Sequence, residues 1–307
     1  MYVNIFFFDY SMHREMLFLF SRYTMKKIFF LSLIIVFAVS CKKETSADQK
    51  LKSESQTNVA YGSDASQKMD IYLPAGRSTD STKLIILVHG GAWVSGDKSD
   101  FASFIPVIQQ RFPDYAIANI NYRLATATAN HFPTQENDMK SAIDFLMQRS
   151  TDYHISQKMI LLGASAGAHM VMLQAYKYSS SEVLAVVDFF GPTDLGDLYN
   201  FYSSNPSTQT IFQLLMNGTP TGNASLYTQS SPINFVTAQS CPTIIFHGDA
   251  DVVVPISQSL ALKNKLSSFG IANQMTSYPN LGHEVWPAST MSDVYNKMEE
   301  FIKTNVH

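Results

Sequence analysis

From residue 59 onward the chain alternates between short apolar runs and longer amphipathic stretches. The runs at 83–88, 115–120, 159–162, 183–190 and 243–246 are nearly unbroken. A strand buried on both faces of a parallel sheet gives that pattern, because neither face meets water. Residues 59–62 and 69–73 predict two further strands, the second stopped by Pro74, and 274–278 predicts a last one. Helical patterns lie between them. In 133–148, Met139, Ala142, Ile143, Phe145 and Leu146 recur at helical spacing. Asp138 and Asp144 in that stretch read as solvated or as local caps. Helices are also expected over 101–112, 166–178, 257–269 and 291–303. Strands alternating with helices in this way predict an α/β fold with a doubly wound, mostly parallel sheet.

Two stretches break the alternation. Residues 42–57 are Lys, Glu, Ser and Gln with almost nothing apolar, and read as a flexible tether. Residues 196–231 are rich in Asn, Ser, Thr, Gly and Tyr with weak periodicity, and are most apolar at 211–216. An insertion after a late strand lies above the carboxyl edge of the sheet, where ligands bind. It reads as a small cap that shapes a pocket, with Phe212 as a candidate contact.

The N-terminal stretch lies outside the fold. Met25-Lys26-Lys27 is positively charged, 28–39 is apolar, and Ala38-Val39-Ser40 supplies small residues before Cys41. Those are the parts of a secretory signal. The apolar run is shorter than the ~20 residues a spanning helix needs. Cys41 at the cleavage point resembles the lipobox of bacterial lipoproteins. The resemblance implies that Cys41 is lipidated and that the protein is held at the cell envelope. Residues 1–24 are aromatic-rich but interrupted by Asp9, Arg14, Glu15 and Arg22. They read as an upstream extension, with translation starting at Met25. The expected order is therefore extension 1–24, signal 25–40, tether 41–57 and one domain over 58–307. Lipidation of Cys41 leaves Cys241 without a disulfide partner, as a small buried residue at a strand start.

Composition narrows the chemistry. The chain has 307 residues, 46% hydrophobic and 15% charged, enough for one large domain with a substantial core. A formal charge of -3 offers no basic field to nucleic acid. The eight histidines form no H-E-x-x-H pair and there is no C-x-x-C, so no metal and no cofactor is expected. Nothing indicates an oligomer.

The chemistry-bearing pattern is Gly163-Ala164-Ser165-Ala166-Gly167, between an apolar strand and a helix. Strand, tight G-x-S-x-G turn and helix make a nucleophile elbow, with Ser165 at the apex. Such a site needs oxyanion donors before it, then an acid and a histidine after it. His89-Gly90-Gly91-Ala92-Trp93 follows the 83–88 strand directly. Two glycines there free backbone N–H groups to face a cleft, making Gly90, Gly91 and Ala166 the candidate oxyanion donors. Trp93 either lines the pocket or packs under the loop. Asp251 follows the 243–246 strand and His283 follows the last one, in the chain order of α/β-hydrolases. Asp249 and, less well placed, Asp194 stay open as the acid. His89 and His247 read as structural, and Glu284 as exposed.

Taken together, the residues 89–93, 96–98, 121–123, 163–167, 191–194 and 247–255 resemble the esterase/lipase branch of the α/β-hydrolases. Bacterial carboxylesterases of the acetylxylan and feruloyl esterase-like kind are similar, with kynurenine formamidases and the hormone-sensitive-lipase group as relatives. Ala92 departs from the third glycine that many of them carry. The resemblance implies an α/β-hydrolase fold with a small cap, and a serine carboxylesterase using Ser165, His283 and Asp251 through an acyl-enzyme. Its substrate would be a small-molecule or glycan ester. A serine exopeptidase, a formamidase and a non-catalytic hydrolase-fold binding protein are the alternatives.

Overall fold

The computed structural model describes residues 50–178 and 181–307. The extension, the signal, Cys41 and most of the tether lie outside the described residues. Eight strands form one sheet in the order β1-β2-β4-β3-β5-β6-β7-β8. They are β1 (Glu54–Ala60), β2 (Lys68–Leu73), β3 (Leu84–Val88), β4 (Ala116–Ile120), β5 (Met159–Ala164), β6 (Val183–Phe189), β7 (Thr243–Gly248) and β8 (Asn273–Tyr278). β1 pairs with β2 and β2 with β4 antiparallel, and every other pair is parallel.

The helices are α1 (Ile105–Arg111), α2 (Thr134–Gln148), α3 (Ser150–Tyr153), α4 (Ala166–Lys177), α5 (Leu195–Phe201), α6 (Pro206–Leu215), α7 (Ala224–Gln229), α8 (Ser257–Ser268) and α9 (Ala288–Asn305). Alternate residues of β3 divide between two cores. Leu84, Ile86 and Val88 join α2, α4 and α8 on one face, while Ile85 and Leu87 join α1 and α9 on the other. A period of two on a doubly covered sheet produces that division. Among the described residues no helix is long and apolar enough to cross a membrane.

Three expectations change. The tether ends earlier than residue 57, because β1 begins at Glu54. Its residues are largely exposed, so no apolar pattern announces it. An edge strand pairs on one side only and can stay polar. The Gly76 N–H donates to the Leu51 carbonyl, and Arg77 binds the Lys52 carbonyl and Glu54. The expected 101–112 helix is a 3-10 turn, Lys98–Phe101, followed by α1. Asp138 is buried rather than solvated. It takes a two-pronged contact from Arg123 and a bond from Gln67, the pairing that a buried carboxylate requires. Asp144 is exposed and pairs with Lys140.

The 196–231 insertion carries α5, α6 and α7. Asp194 caps α5 by accepting from the N–H groups of Gly196 and Asp197. Asn205 caps α6, which opens on Pro206. Cys241 is buried two residues ahead of β7, its thiol pushed up to about 12 by burial.

Candidate active site

Ser165 stands between β5 and α4 with φ 54 and ψ -120. A non-glycine residue holds such a conformation only when its surroundings impose it. Here the flanking glycines allow two segments to approach. A Cβ on Gly163 would sit 2.4 Å from the Gly167 carbonyl carbon, and one on Gly167 would sit 2.0 Å from the Val88 oxygen. The Ser165 N–H is tied to the Phe189 carbonyl at 2.9 Å. The side chain is left half-buried at the carboxyl edge of the sheet.

Parallel strand ends bring the remaining groups to the same edge. His283 follows β8, and its Nε2 lies 2.8 Å from Ser165 Oγ. Its Nδ1 lies 2.7 Å from Asp251 Oδ2, in the turn after β7. Asp251 Oδ1 accepts from the N–H groups of Val253 and Val254 at 2.8 and 2.9 Å. Burial works against charge on Asp251, but hydrogen bonds from His247 and His283 hold its carboxyl well below the usual carboxylate range. The Phe190 ring packs on the His283 ring with centroids 4.5 Å apart. The alternative acids are engaged elsewhere. Asp249 is exposed and accepts from the Asn280 N–H, and Asp194 caps α5.

The glycine loop after β3 is held in three successive left-handed residues, Gly91, Ala92 and Trp93, at φ 106, 50 and 63. Its carbonyls are tied back. Gly91 accepts from Val94, Ser95 N–H and the Ser95 hydroxyl, and Gly90 accepts from the Tyr122 hydroxyl. The N–H groups of Gly90, Gly91 and Ala92 donate to no group among the described residues. Ala166 opens α4, where first-turn N–H groups lack helical partners. Gly90 packs on the elbow, since a Cβ there would lie 3.2 Å from Ser165 Cβ. Ala92, read from sequence as a departure from a third glycine that could tighten the acyl pocket, lines the pocket that holds Ser165.

That pocket also takes Trp93, Leu198, Tyr202 and Phe212, and spans about 400 Å³ including its open mouth. Trp93 therefore both lines the pocket and packs under the loop. A second, largely apolar pocket begins at Gly90 and Ala164 and runs past Phe190 to Phe104 and Trp286. Glu284 is exposed at its edge.

Sequence reading expected His89 to brace the loop and missed the other braces. Trp93 Nε1–H donates to His169 Nδ1 at 3.2 Å, and His169 Nε2 donates to the Ser230 carbonyl at 2.7 Å. Burial pulls His169 down to about 4, so it is a neutral linker between loop, elbow helix and the end of the cap. His89 stacks on Tyr122 with centroids 4.3 Å apart. Asn121 holds Asp97 and the Lys98 N–H, and Asn119 holds the Lys98 carbonyl. The 96–98 and 121–123 motifs therefore brace the glycine loop from behind. A polar residue on a strand carries no signal of this kind until its partners are seen. Among the described residues no group of three or more His, Cys, Asp or Glu could hold a metal ion.

Residues 69–266 match the model of the BD-FAE family. A probable isoprenylcysteine alpha-carbonyl methylesterase of Arabidopsis thaliana is 26% identical over 243 residues, covering 74% of this chain and 50% of that one. Curated relatives of this kind are spanned over only about half of their length. Among solved structures, a bifunctional GH43-CE protein of Bacteroides eggerthii superposes with a TM-score of 0.70 at 26% identity, over 82% of this chain and 38% of that one. A truncated carbohydrate esterase from gut microbiota superposes at 0.65 with 28% identity, over 83% of this chain and 99% of that one. The fold is that of an α/β-hydrolase esterase.

Proposed function

The chain belongs to the BD-FAE family, and on that footing we propose that it is a serine carboxylesterase acting on small or carbohydrate-linked acyl esters. The observation that carries the reading is the hydrogen-bonded line from Asp251 through His283 to Ser165, at a serine held with positive φ. The Asp251 carboxylate accepts from His283 Nδ1–H, which leaves Nε2 bare and able to take the Ser165 proton. Ser165 Oγ then attacks the ester carbonyl carbon. The oxygen becomes an oxyanion facing the loop after β3 and the start of α4. Gly90, Gly91 and Ala166 are the proposed donors, and each missing donor costs about 3 kcal/mol of barrier.

His283 next hands its proton to the departing alkoxide, and the C–O bond breaks to leave an acyl-Ser165. Water, deprotonated by His283, attacks the acyl carbon and restores the serine. Asp251 stays ionised throughout and stabilises the imidazolium. The apolar pocket that Ser165 lines, and the second one that starts at its neighbours Gly90 and Ala164, suit uncharged arms of an ester. The carbohydrate esterases among the relatives support a glycan-borne acyl group. The test is turnover of p-nitrophenyl acetate and of acetylated xylan by the full chain and by Ser165→Ala. Both rates are expected to vanish in the variant, and retained turnover contradicts the reading.

The sequence also supports export and lipidation at Cys41. Incorporation of radiolabelled palmitate, lost in Cys41→Ala, checks that part.

A further inference from the structure

The Asp251 carboxylate is shared by two histidines. His247, the penultimate residue of β7, is fully buried. Its Nε2 lies 2.8 Å from the Val254 carbonyl oxygen and 3.3 Å from Asp251 Oδ2. A carbonyl and an ionised carboxylate only accept, so Nε2 carries the hydrogen and shares it between them. On the other side of the ring, Nδ1 lies 2.7 Å from the Ser259 hydroxyl of α8. Asp251 thus meets two backbone N–H groups on Oδ1 and two imidazoles on Oδ2. That fills the roughly four acceptor sites of a carboxylate. Three of those four donors come from connecting segments, the Asp251 turn or the His283 loop. His247 alone comes from a central strand of the sheet.

We propose that His247 is a positioning residue for the reaction at Ser165, its Nε2–H holding Asp251 Oδ2 so that the carboxylate stays turned toward His283 Nδ1. The inference rests on the triad reading and adds a residue that the triad does not contain. Burial opposes an ionised Asp251, and the hydrogen bond from His247 is among the contacts that overcome it. The other titratable groups around the pair are Asp188 on β6, whose buried carboxyl is drawn down in part by His247, and the Tyr202 hydroxyl, raised by burial and by Asp251. Without the Nε2–H, the carboxylate keeps one imidazole donor in place of two. It then has greater proton affinity and more freedom to rotate away from His283.

Two substitutions separate positioning from packing. His247→Met keeps the volume and removes the donor, whereas His247→Gln returns an amide N–H near the Nε2 position. In the methionine variant kcat is expected to fall about tenfold, the worth of one hydrogen bond to a charged group. KM should stay unchanged, and the acidic limb of kcat/KM should move. The low-field NMR resonance of the proton between His283 and Asp251 should shift, and His247→Gln should restore both signals. Equal behaviour of the two variants, or an unmoved limb and resonance in His247→Met, overturns the proposal. If His247→Met does not fold, Ser259→Ala decides. It frees the ring without touching Asp251, and should move limb and resonance in the same direction. No movement there overturns the proposal too. The resonance is read without turnover. A chain that shows the shift but hydrolyses no ester would leave His247 as assigned and refute the esterase reading.

Discussion

At the scale of single residues, the site contains two buried carboxylates with opposite behaviour. Asp251 is surrounded by donors and held ionised. Asp188 is fully buried with one oxygen unpartnered, and burial pushes it up to about 7 against the opposing effects of the Gly191 N–H and His247. A carboxyl that binds its proton more tightly in the folded state than in the unfolded state favours folding at low pH. That contribution is complete below the unfolded value near 4 and is lost as pH rises toward 7. The loss is on the order of a few kcal/mol. Asp188→Asn mimics the protonated form, so its melting temperature should decline less than that of the wild type between pH 4 and 8. Parallel melting curves across that range would contradict the assignment. For the acid of the proposed triad, Asp251→Ala should lower kcat by roughly 10⁴-fold, as loss of the orienting carboxylate does elsewhere. Asp249→Ala should leave kcat almost unchanged, and the reverse ranking would make Asp249 the acid.

Residue chemistry was also where the sequence spoke most clearly. Ser165 could be read because its G-x-S-x-G turn lies between a strand and a helix, with a glycine loop upstream and an Asp and then a His downstream. Asp251 was favoured over Asp249 in sequence only by the resemblance and by its place nearer the tip, because both lie in one turn after one strand. Only the side-chain directions divide them, one toward His283 and the other toward the Asn280 N–H. His169 and Asn121 were silent for the same reason: their roles lie in partners far along the chain.

At the scale of elements, the central strands were legible because burial on two faces writes a continuous apolar run. β1 was not, since an exposed edge strand has no face to mark. Beside its ladder with β2 it is tied down by Arg77, whose side chain is buried and donates to the carbonyls of Lys52, Pro74 and Tyr153. Arg77→Ala strands those acceptors, and should cost about 2 kcal/mol. Limited proteolysis should then cut within 50–60 sooner than in the wild type, with kcat/KM on a small ester unchanged. An unchanged digestion rate would show that β1 holds without it. The cap is the other element that the sequence drew faintly. Its helices are short, and their caps, Asp194 and Asn205, are polar residues in polar surroundings. Phe212 of α6 is buried against Trp93 and Tyr199 and faces the Ser165 pocket. Phe212→Ala should destabilise the protein by about 3 kcal/mol and raise the rate on bulkier acyl esters relative to acetate. A loss of stability with no change in acyl preference would place Phe212 in the core alone.

For the whole molecule, the sheet does the assembling. β3, β5, β7 and β8 run parallel, so the glycine loop, Ser165, Asp251 and His283 leave it from the same edge although more than a hundred residues separate Ser165 from His283. Chain order and strand spacing carried that much in sequence. The pocket under the cap was legible in part, through Trp93 and Phe212, whereas the one that runs to Phe104 and Trp286 was not, because it is assembled from segments far apart in the chain. The proposed function stands or falls with Ser165 as an activated acyl acceptor. A fluorophosphonate probe followed by peptide mass spectrometry tests it most directly. One adduct is predicted, on Ser165, absent in Ser165→Ala and formed far more slowly in His283→Ala. No adduct, an adduct on another serine, or undiminished labelling without His283 would contradict the account.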